Sequence, residues 1–89
     1  MNDENLEQRI DARLTRARTG NLGDFKKIGK SLYELRLHIG PGYRIYFGLD
    51  ENEIIVLLIR GDKSTQSRDI KKARKNWSEY ETEKTSQIY

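Results

Sequence analysis

The sequence predicts a single small α+β domain, in which a three-stranded antiparallel sheet packs against an N-terminal and a C-terminal helix. Apolar residues recur at helical spacing near both ends of the chain. Between them, three consecutive segments have the pattern of strands and are separated by short turns. Because the chain has only 89 residues, we expect residues 1–89 to form one domain.

The first helix is predicted over residues 3–18. Its apolar stripe has spacings of four, four and three residues and consists of Leu6, Ile10, Leu14 and Ala17. Glycines at positions 20 and 23 end it, because glycine accepts the positive φ of a helix C-cap. Residues 24–29 are expected to form a short connection with about one helical turn.

Two amphipathic strands follow. In the segment SLYELRLHI, one face is apolar and the other carries Glu34, Arg36 and His38. Residues 40–42, Gly-Pro-Gly, predict a tight reversal. In YRIYFGL, residues 43–49, the apolar residues alternate with Arg44 and Tyr46. Arg36 and Arg44 are therefore expected on adjacent antiparallel strands and on the same face.

The third strand and the second helix complete the prediction. IIVLLI, residues 54–59, is apolar on both faces and is expected to be the central, covered strand. Ser64 or Thr65 then caps a helix that runs to about Glu83. Its apolar stripe consists of Ile70, Ala73, Trp77 and Tyr80. Residues 82–89 are expected to be a frayed polar tail.

Composition excludes several functional classes. The chain has no cysteine and one histidine, which argues against a disulfide scaffold, a cysteine nucleophile and a metal site. No metal or cofactor is expected. No apolar run approaches the ~18 residues of a membrane span, and the polar start MNDENLEQRI is unlike a signal peptide. These features predict a soluble cytoplasmic protein.

The charge distribution suggests a polyanionic partner. The formal net charge is +3, and basic residues accumulate over residues 60–75. Such an excess favours RNA binding, although a solvated helix face gives the same pattern.

Three sequence segments carry a family resemblance: RLTRARTGNLGDFKKIG, LYELRLHIGPGYRIYFG and IIVLLIRGDKSTQSRDIKKA. With them the chain resembles the RelE/ParE superfamily of type II toxin–antitoxin toxins, from residue 10 to residue 77. It is most similar to the HigB-like branch, often labelled phage-derived Gp49-like or addiction module killer protein.

The resemblance implies a RelE-like fold and a metal-independent, ribosome-associated mRNA endoribonuclease that inhibits translation. It also implies a cognate antitoxin, usually a helix-turn-helix protein of the HigA type. Two alternatives stay open: a ParE-like gyrase inhibitor, and a truncated inactive toxin that only binds its antitoxin. The strand with which family members usually begin is missing from the pattern here. An uncovered sheet edge would favour a homodimer or a strand swap.

The resemblance also suggests catalytic residues. Arg36, Arg44 and Lys63 match basic positions of RelE-like nucleases, and Arg44 is expected to stabilise the transition state. His38 is a candidate general acid or base, because its ordinary pKa is near neutrality. The alternatives are arginines paired with Glu34 or with the C-terminal helix, a loop lysine and a surface histidine. Glu34 itself departs from the family pattern, where a second basic residue stands.

A second set of residues is predicted to bind RNA. Tyr46 could stack on a base or donate a proton, or it could pack beneath the helix. The cations on the second helix are expected to hold the RNA backbone, unless they are merely solvated. This RNA-binding set consists of Tyr46, Arg68, Lys71, Lys72 and Lys75.

Overall fold

The computed structural model describes residues 3–40, 42–61 and 63–88. Its elements are helix α1 (Asp3–Arg18), strands β1 (Phe25–Gly29), β2 (Leu32–Leu37), β3 (Tyr43–Asp50) and β4 (Glu53–Arg60), a short 3₁₀ turn (Lys63–Thr65) and helix α2 (Gln66–Ile88). Pro41, at the centre of the predicted reversal, lies outside the described residues. In the described part of the chain, no strand precedes α1.

The two helices cover opposite faces of one antiparallel sheet, whose strand order is β1-β2-β3-β4. On one face, Leu14 and Ala17 of α1 pack on a cluster that includes Leu35, Ile45 and Phe47. On the other face, the hydrophobic cluster consists of Ile28, Leu32, Tyr46, Ala73 and Trp77. The structure thus confirms the predicted α+β class, with a helix, an antiparallel sheet and a second helix.

The sheet has four strands rather than three, because residues 25–29 form a strand where a connection was predicted. β1 pairs with β2 from Phe25, opposite Leu35, to Gly29, opposite Leu32. Only Ile28 of β1 is buried, and Phe25 is exposed. A strand of five residues with two lysines and one buried side chain has little of the alternation that would predict it.

The prediction that residues 54–59 form the central strand is wrong, because β4 lies at the edge of the sheet. Its two apolar faces pack toward the two helices: Ile54 joins the α1 cluster, and Ile55 and Leu57 join the α2 cluster. Val56 and Ile59 remain 43% and 41% exposed. β4 is apolar on both faces because a helix covers each face of the sheet. This pattern does not show whether a strand has a neighbouring strand on both of its edges.

Helix α2 extends beyond its predicted end at Glu83 and continues to Ile88, so residues 82–88 are helical rather than a frayed tail. Trp77 packs directly over Gly48 of β3: a Cβ at position 48 would lie 2.3 Å from the indole ring. Within the described residues, neither helix has the length and apolar character needed to cross a bilayer.

A polar cluster joins the far half of α2 to the hairpin between β3 and β4. Asp50 accepts a hydrogen bond of 2.7 Å from the Tyr80 hydroxyl and one of 2.6 Å from the Lys84 ammonium group. These two donors lower the pKa of Asp50, and the carboxylate in turn raises the pKa of Tyr80 and of Lys84. The cluster is therefore stable while Asp50 is ionised and both donors keep their protons.

We expect the stability of Asp50→Asn to depend less on pH in the acid range than that of the wild type. Since folding lowers the pKa of Asp50, its contribution is complete above the ordinary carboxyl pKa and is lost as pH falls through the folded-state value. Melting temperatures from pH 2 to pH 7 should converge for wild type and variant at the acid end. The matched control is Glu79→Gln on the exposed side of α2. Parallel curves for wild type and Asp50→Asn would contradict this account.

Candidate active site

Three arginines lie side by side at one end of the sheet. Arg36 near the end of β2 pairs with Arg44 near the start of β3, and Arg44 pairs in turn with Arg60 at the end of β4. All three belong to the face that α2 covers, because Arg36 shares its side of β2 with Glu34, and Arg60 contacts Asp69 of α2. We call Arg36, Arg44 and Arg60 the arginine row.

A β-bulge places Arg60 in this row. Phe47 pairs with Val56, but the next residue, Tyr46, pairs with Leu58, so Leu57 is an extra residue in β4. Without it, Ile59 rather than Arg60 would lie opposite Arg44. Bulges redirect side chains in this way, and they are common near functional sites.

Glu34 is the buried centre of the site. Its side chain is 0% exposed, and its carboxylate accepts hydrogen bonds from Arg36 Nε at 3.2 Å and from Gln66 Nε2 at 3.1 Å. Arg44 Nε lies 3.8 Å from the same carboxylate. A buried carboxylate is costly unless cations and hydrogen-bond donors surround it, so Glu34 fixes Arg36 and Arg44 in place.

Two buried polar atoms beside Glu34 lack a hydrogen-bond partner among the described residues: Arg44 Nε and the Tyr46 hydroxyl oxygen. Arg44 is nearly buried, with 9% of its side chain exposed. Burial raises the pKa of Tyr46, and the negative charge of Glu34 raises it further. Tyr46 therefore stays a neutral phenol at physiological pH.

Arg36 and Arg44 line an open cleft of about 390 Å³ at the end of the sheet, which we call the first cleft. His38 and Tyr43 also line it, together with the glycines of the β2–β3 turn. Two guanidinium groups and an imidazole around one cavity suit a phosphate group, because the arginine fork binds two phosphate oxygens at once.

Asp24 contacts two residues that line the first cleft, His38 and Arg36. His38 donates a hydrogen bond of 2.5 Å from Nε2 to Asp24 Oδ2, and this bond lowers the pKa of Asp24. Arg36 Nη1 lies 3.8 Å from the other carboxylate oxygen. His38 is 76% exposed, so it keeps free access to a bound ligand while Asp24 orients its ring.

Arg13 of α1 ties this end of the sheet together from the other face. Its Nη2 donates to the backbone carbonyls of Asp24 at 3.3 Å and Arg36 at 3.2 Å. The guanidinium group packs against Gly23, where a Cβ would lie 2.1 Å from Nη1. Burial lowers the pKa of Arg13, and the positive charge of Arg16 lowers it further.

A second cleft, of about 580 Å³, lies on the other side of Arg44, at the start of α2. Arg60 Nε donates to Asp69 Oδ1 at 3.3 Å, and the Thr65 hydroxyl donates to Asp69 Oδ2 at 2.6 Å. Arg68 and Lys72 of α2 complete the lining. We call this cavity the second cleft.

The structure brings together some of the predicted residues but not all of them. Arg36, Arg44 and His38 share the first cleft, and Arg68 and Lys72 line the second. Lys71 and Lys75 are exposed on α2 and belong to neither cleft. The side chain of Lys63 lies outside what the structure describes.

The structure corrects the prediction that Tyr46 binds RNA. Its side chain is 0% exposed beneath α2, so it cannot stack on an RNA base, and the packing alternative is the one observed. The reason is that α2 covers the polar face of β2 and β3, a face whose alternation alone looks solvent-facing.

Sequence reasoning assigned no role to four residues of this site: Asp24, Arg60, Gln66 and Asp69. A helix pattern beginning near residue 66 could have placed Gln66 and Asp69 close to the sheet end. The position of Arg60 opposite Arg44 depends on the β-bulge, and no residue type in β4 predicts that bulge. Among the described residues, no group of three or more histidine or acidic side chains could hold a metal ion.

Comparison with known proteins identifies the family to which this α+β domain belongs. A family model described as "Phage derived protein Gp49-like" matches residues 3–80, so the chain belongs to that family. Over 66 residues it is 44% identical to an uncharacterized protein of Haemophilus influenzae, a match that covers 74% of this chain and 67% of that protein. No solved structure gives a significant match.

Removing the buried carboxylate should destabilise the whole domain. We expect Glu34→Ala to cost about 3–5 kcal/mol of unfolding free energy, because Arg44 would be left buried without an anion. Glu34→Gln keeps an acceptor and should cost less. Chemical denaturation measures both variants.

The matched control is Asp24→Ala, which removes an exposed acidic partner of the same Arg36. Exposed pairs contribute little to stability, so its loss should be much smaller. Equal losses for Glu34→Ala and Asp24→Ala would show that burial of Glu34 does not dominate.

Proposed function

We propose that this protein is the toxin of a type II toxin–antitoxin system and acts in the cytoplasm as a metal-independent endoribonuclease on translated mRNA. The observation that carries the proposal is the first cleft, where Arg36 and Arg44 from adjacent strands line one cavity with His38. Membership of the Gp49-like family and the resemblance to HigB-like toxins support it.

The chemistry of RNA cleavage assigns a task to each group. Attack by the 2′-hydroxyl on the neighbouring phosphate needs a base, a cationic clamp for the charge that develops, and an acid for the leaving 5′-oxygen. Arg44 is the proposed clamp, because Glu34 and the surrounding core fix it rigidly. Arg36 binds the same phosphate from the adjacent strand.

His38 is the proposed proton-transfer group. It lies at the mouth of the first cleft, and its hydrogen bond to Asp24 leaves the second ring nitrogen available to the ligand. Such a pair can take the proton from the 2′-hydroxyl as its oxygen bonds to phosphorus, and the carboxylate stabilises the imidazolium that forms. The imidazolium can then give its proton to the 5′-oxygen as the P–O5′ bond breaks, which leaves a 2′,3′-cyclic phosphate. By the family resemblance, Lys63 would supply a further cation for the phosphate.

The same fold could serve a ParE-like gyrase inhibitor or an inactive toxin that only binds its antitoxin. The cleft favours the nuclease over both. Two arginines and an oriented histidine around a cavity have a direct use in phosphate chemistry, whereas a protein-binding module has no need of a buried acid that positions guanidinium groups.

The central experiment is induction of the protein in cells, followed by sequencing of mRNA ends. We expect cuts within translated codons for wild type and a loss of about 10²–10³ in cutting for Arg44→Ala, the usual effect of removing a group that stabilises the transition state. Arg44→Lys should restore only part of it, since lysine lacks the planar fork.

Lys30→Ala is the matched control. It removes one positive charge from the β1–β2 turn, at the opposite end of the sheet, and should cut as wild type does. Circular dichroism establishes that each variant is folded. Intact mRNA with loss of DNA supercoiling would support gyrase inhibition instead, and no effect on growth would support the inactive alternative.

We also propose that the protein associates through the free edge of β4, either with its antitoxin, expected to be a helix-turn-helix protein, or with a second copy. Exposed Val56 and Ile59 lie on this edge strand, and unpaired backbone groups at an edge favour pairing with another strand. If the edge pairs with a second copy, light scattering on the isolated protein should detect a dimer. A stable, monodisperse monomer would exclude self-association.

A further inference from the structure

We infer that the second cleft is a separate phosphate subsite, which binds the phosphate next to the one held by Arg36 and Arg44 on the same single RNA strand. Its ligands are Arg60, Arg68 and Lys72. The inference rests on the proposed function, since it extends the same substrate by one nucleotide linkage, and it gives Arg60 a role that the nuclease chemistry itself does not require.

The two clefts are adjacent but distinct. Arg44 and Arg60 are direct partners across β3 and β4, yet Arg44 lines the first cleft and Arg60 lines the second. Tyr43, which lines the first cleft, packs against Gly61 of the second: a Cβ at position 61 would lie 2.8 Å from Tyr43 Cε1. With neighbouring strands about 4.8 Å apart, the arginine row spans about 10 Å, more than one phosphate occupies.

Arg60 is positioned to receive an anion. Its Nε is bound to Asp69, which is only 4% exposed and is itself fixed by the hydroxyl of Thr65. In the part of the chain that the structure describes, the two terminal nitrogens of Arg60 have no hydrogen-bond partner. Asp69 thus holds the guanidinium by its Nε edge and leaves the two terminal nitrogens toward the second cleft.

Charge in the second cleft favours an anionic ligand. Among the described residues that line it, Arg60, Arg68 and Lys72 provide three cations against the one carboxylate of Asp69. Arg68 and Lys72 are exposed and make no ion pair with another described residue. Lys71 and Lys75 carry the same charge on the same helix but line no cleft, so the cavity distinguishes a binding site from a solvated helix face.

The test is binding of 2′-O-methyl RNA, which cannot be cleaved because its 2′-oxygen is blocked. Affinities for a dinucleotide, with one phosphate, and for a tetranucleotide are measured by NMR titration over a range of salt concentrations. We expect Arg60→Ala, and separately Arg68→Ala with Lys72→Ala, to bind the dinucleotide as wild type does. Both should bind the tetranucleotide about tenfold more weakly.

The salt dependence gives an independent measure. Loss of one phosphate contact should reduce the slope of log affinity against log salt by about 0.7 for the tetranucleotide. Lys30→Ala, the charge-matched control, should leave both affinity and slope unchanged. The double variant changes only exposed side chains, so it tests the cleft even if Arg60→Ala fails to fold.

Equal losses for the cleft variants and for Lys30→Ala would overturn the inference, as would equal losses on the dinucleotide and the tetranucleotide. Cleft-dependent binding of a hexaglutamate peptide without binding of RNA would also overturn it, and would point to an acidic protein segment. Failure of the proposed function is distinguishable: binding would depend on Arg60 as expected, but induction would leave cellular mRNA uncut.

Discussion

The ion pairing of one fully buried carboxylate, Glu34, connects the fold of this protein to its candidate site. Glu34 lies on the face of β2 that α2 covers, where an unpaired carboxylate would be strongly unfavourable. It is stabilised by Arg36 on its own strand, by Arg44 on the next strand and by Gln66 at the start of α2. Helix packing and arginine placement therefore depend on the same group.

The same arrangement occurs twice at this end of the sheet. Glu34 positions Arg36 and Arg44, and Asp69 of α2 positions Arg60. In each case a buried or nearly buried acid binds the Nε side of a guanidinium and leaves the remainder toward a cleft. Such pre-organisation matters for phosphate binding, since a fixed arginine loses little conformational entropy when its ligand arrives.

Local periodicity was sufficient for much of the fold. α1 was predicted with its observed bounds, and the alternation in β2 and β3 placed Arg36 beside Arg44. β1 escaped notice because only one of its side chains is buried, and β4 was placed centrally because both its faces are apolar. These errors share one cause. The alternation of apolar and polar residues along a strand shows which of its faces are covered, but it does not show which strands lie beside it in the sheet.

The site was less accessible to sequence reasoning for a related reason. The polar alternation of Glu34, Arg36 and Tyr46 suggested a solvent-facing surface, but α2 lies across it and buries two of the three. The position of Arg60 required a register shift at Leu57, which depends on the packing of the whole hairpin. The family resemblance located the arginines, whereas only the structure relates them to Glu34 and Asp69.

The most direct test of this account is the hydrogen exchange of arginine Nε–H groups, observed by NMR in the wild type and in Glu34→Gln. The Nε–H of Arg36, which donates to Glu34, and that of Arg44, which is buried beside it, should both exchange slowly in the wild type. If Glu34 holds the site together, the Nε–H of Arg36 should exchange much faster in the variant. The Nε–H of Arg9, on the exposed surface of α1, should exchange fast in both. Rapid exchange of Arg36 and Arg44 in the wild type, equal to that of Arg9, would contradict the account.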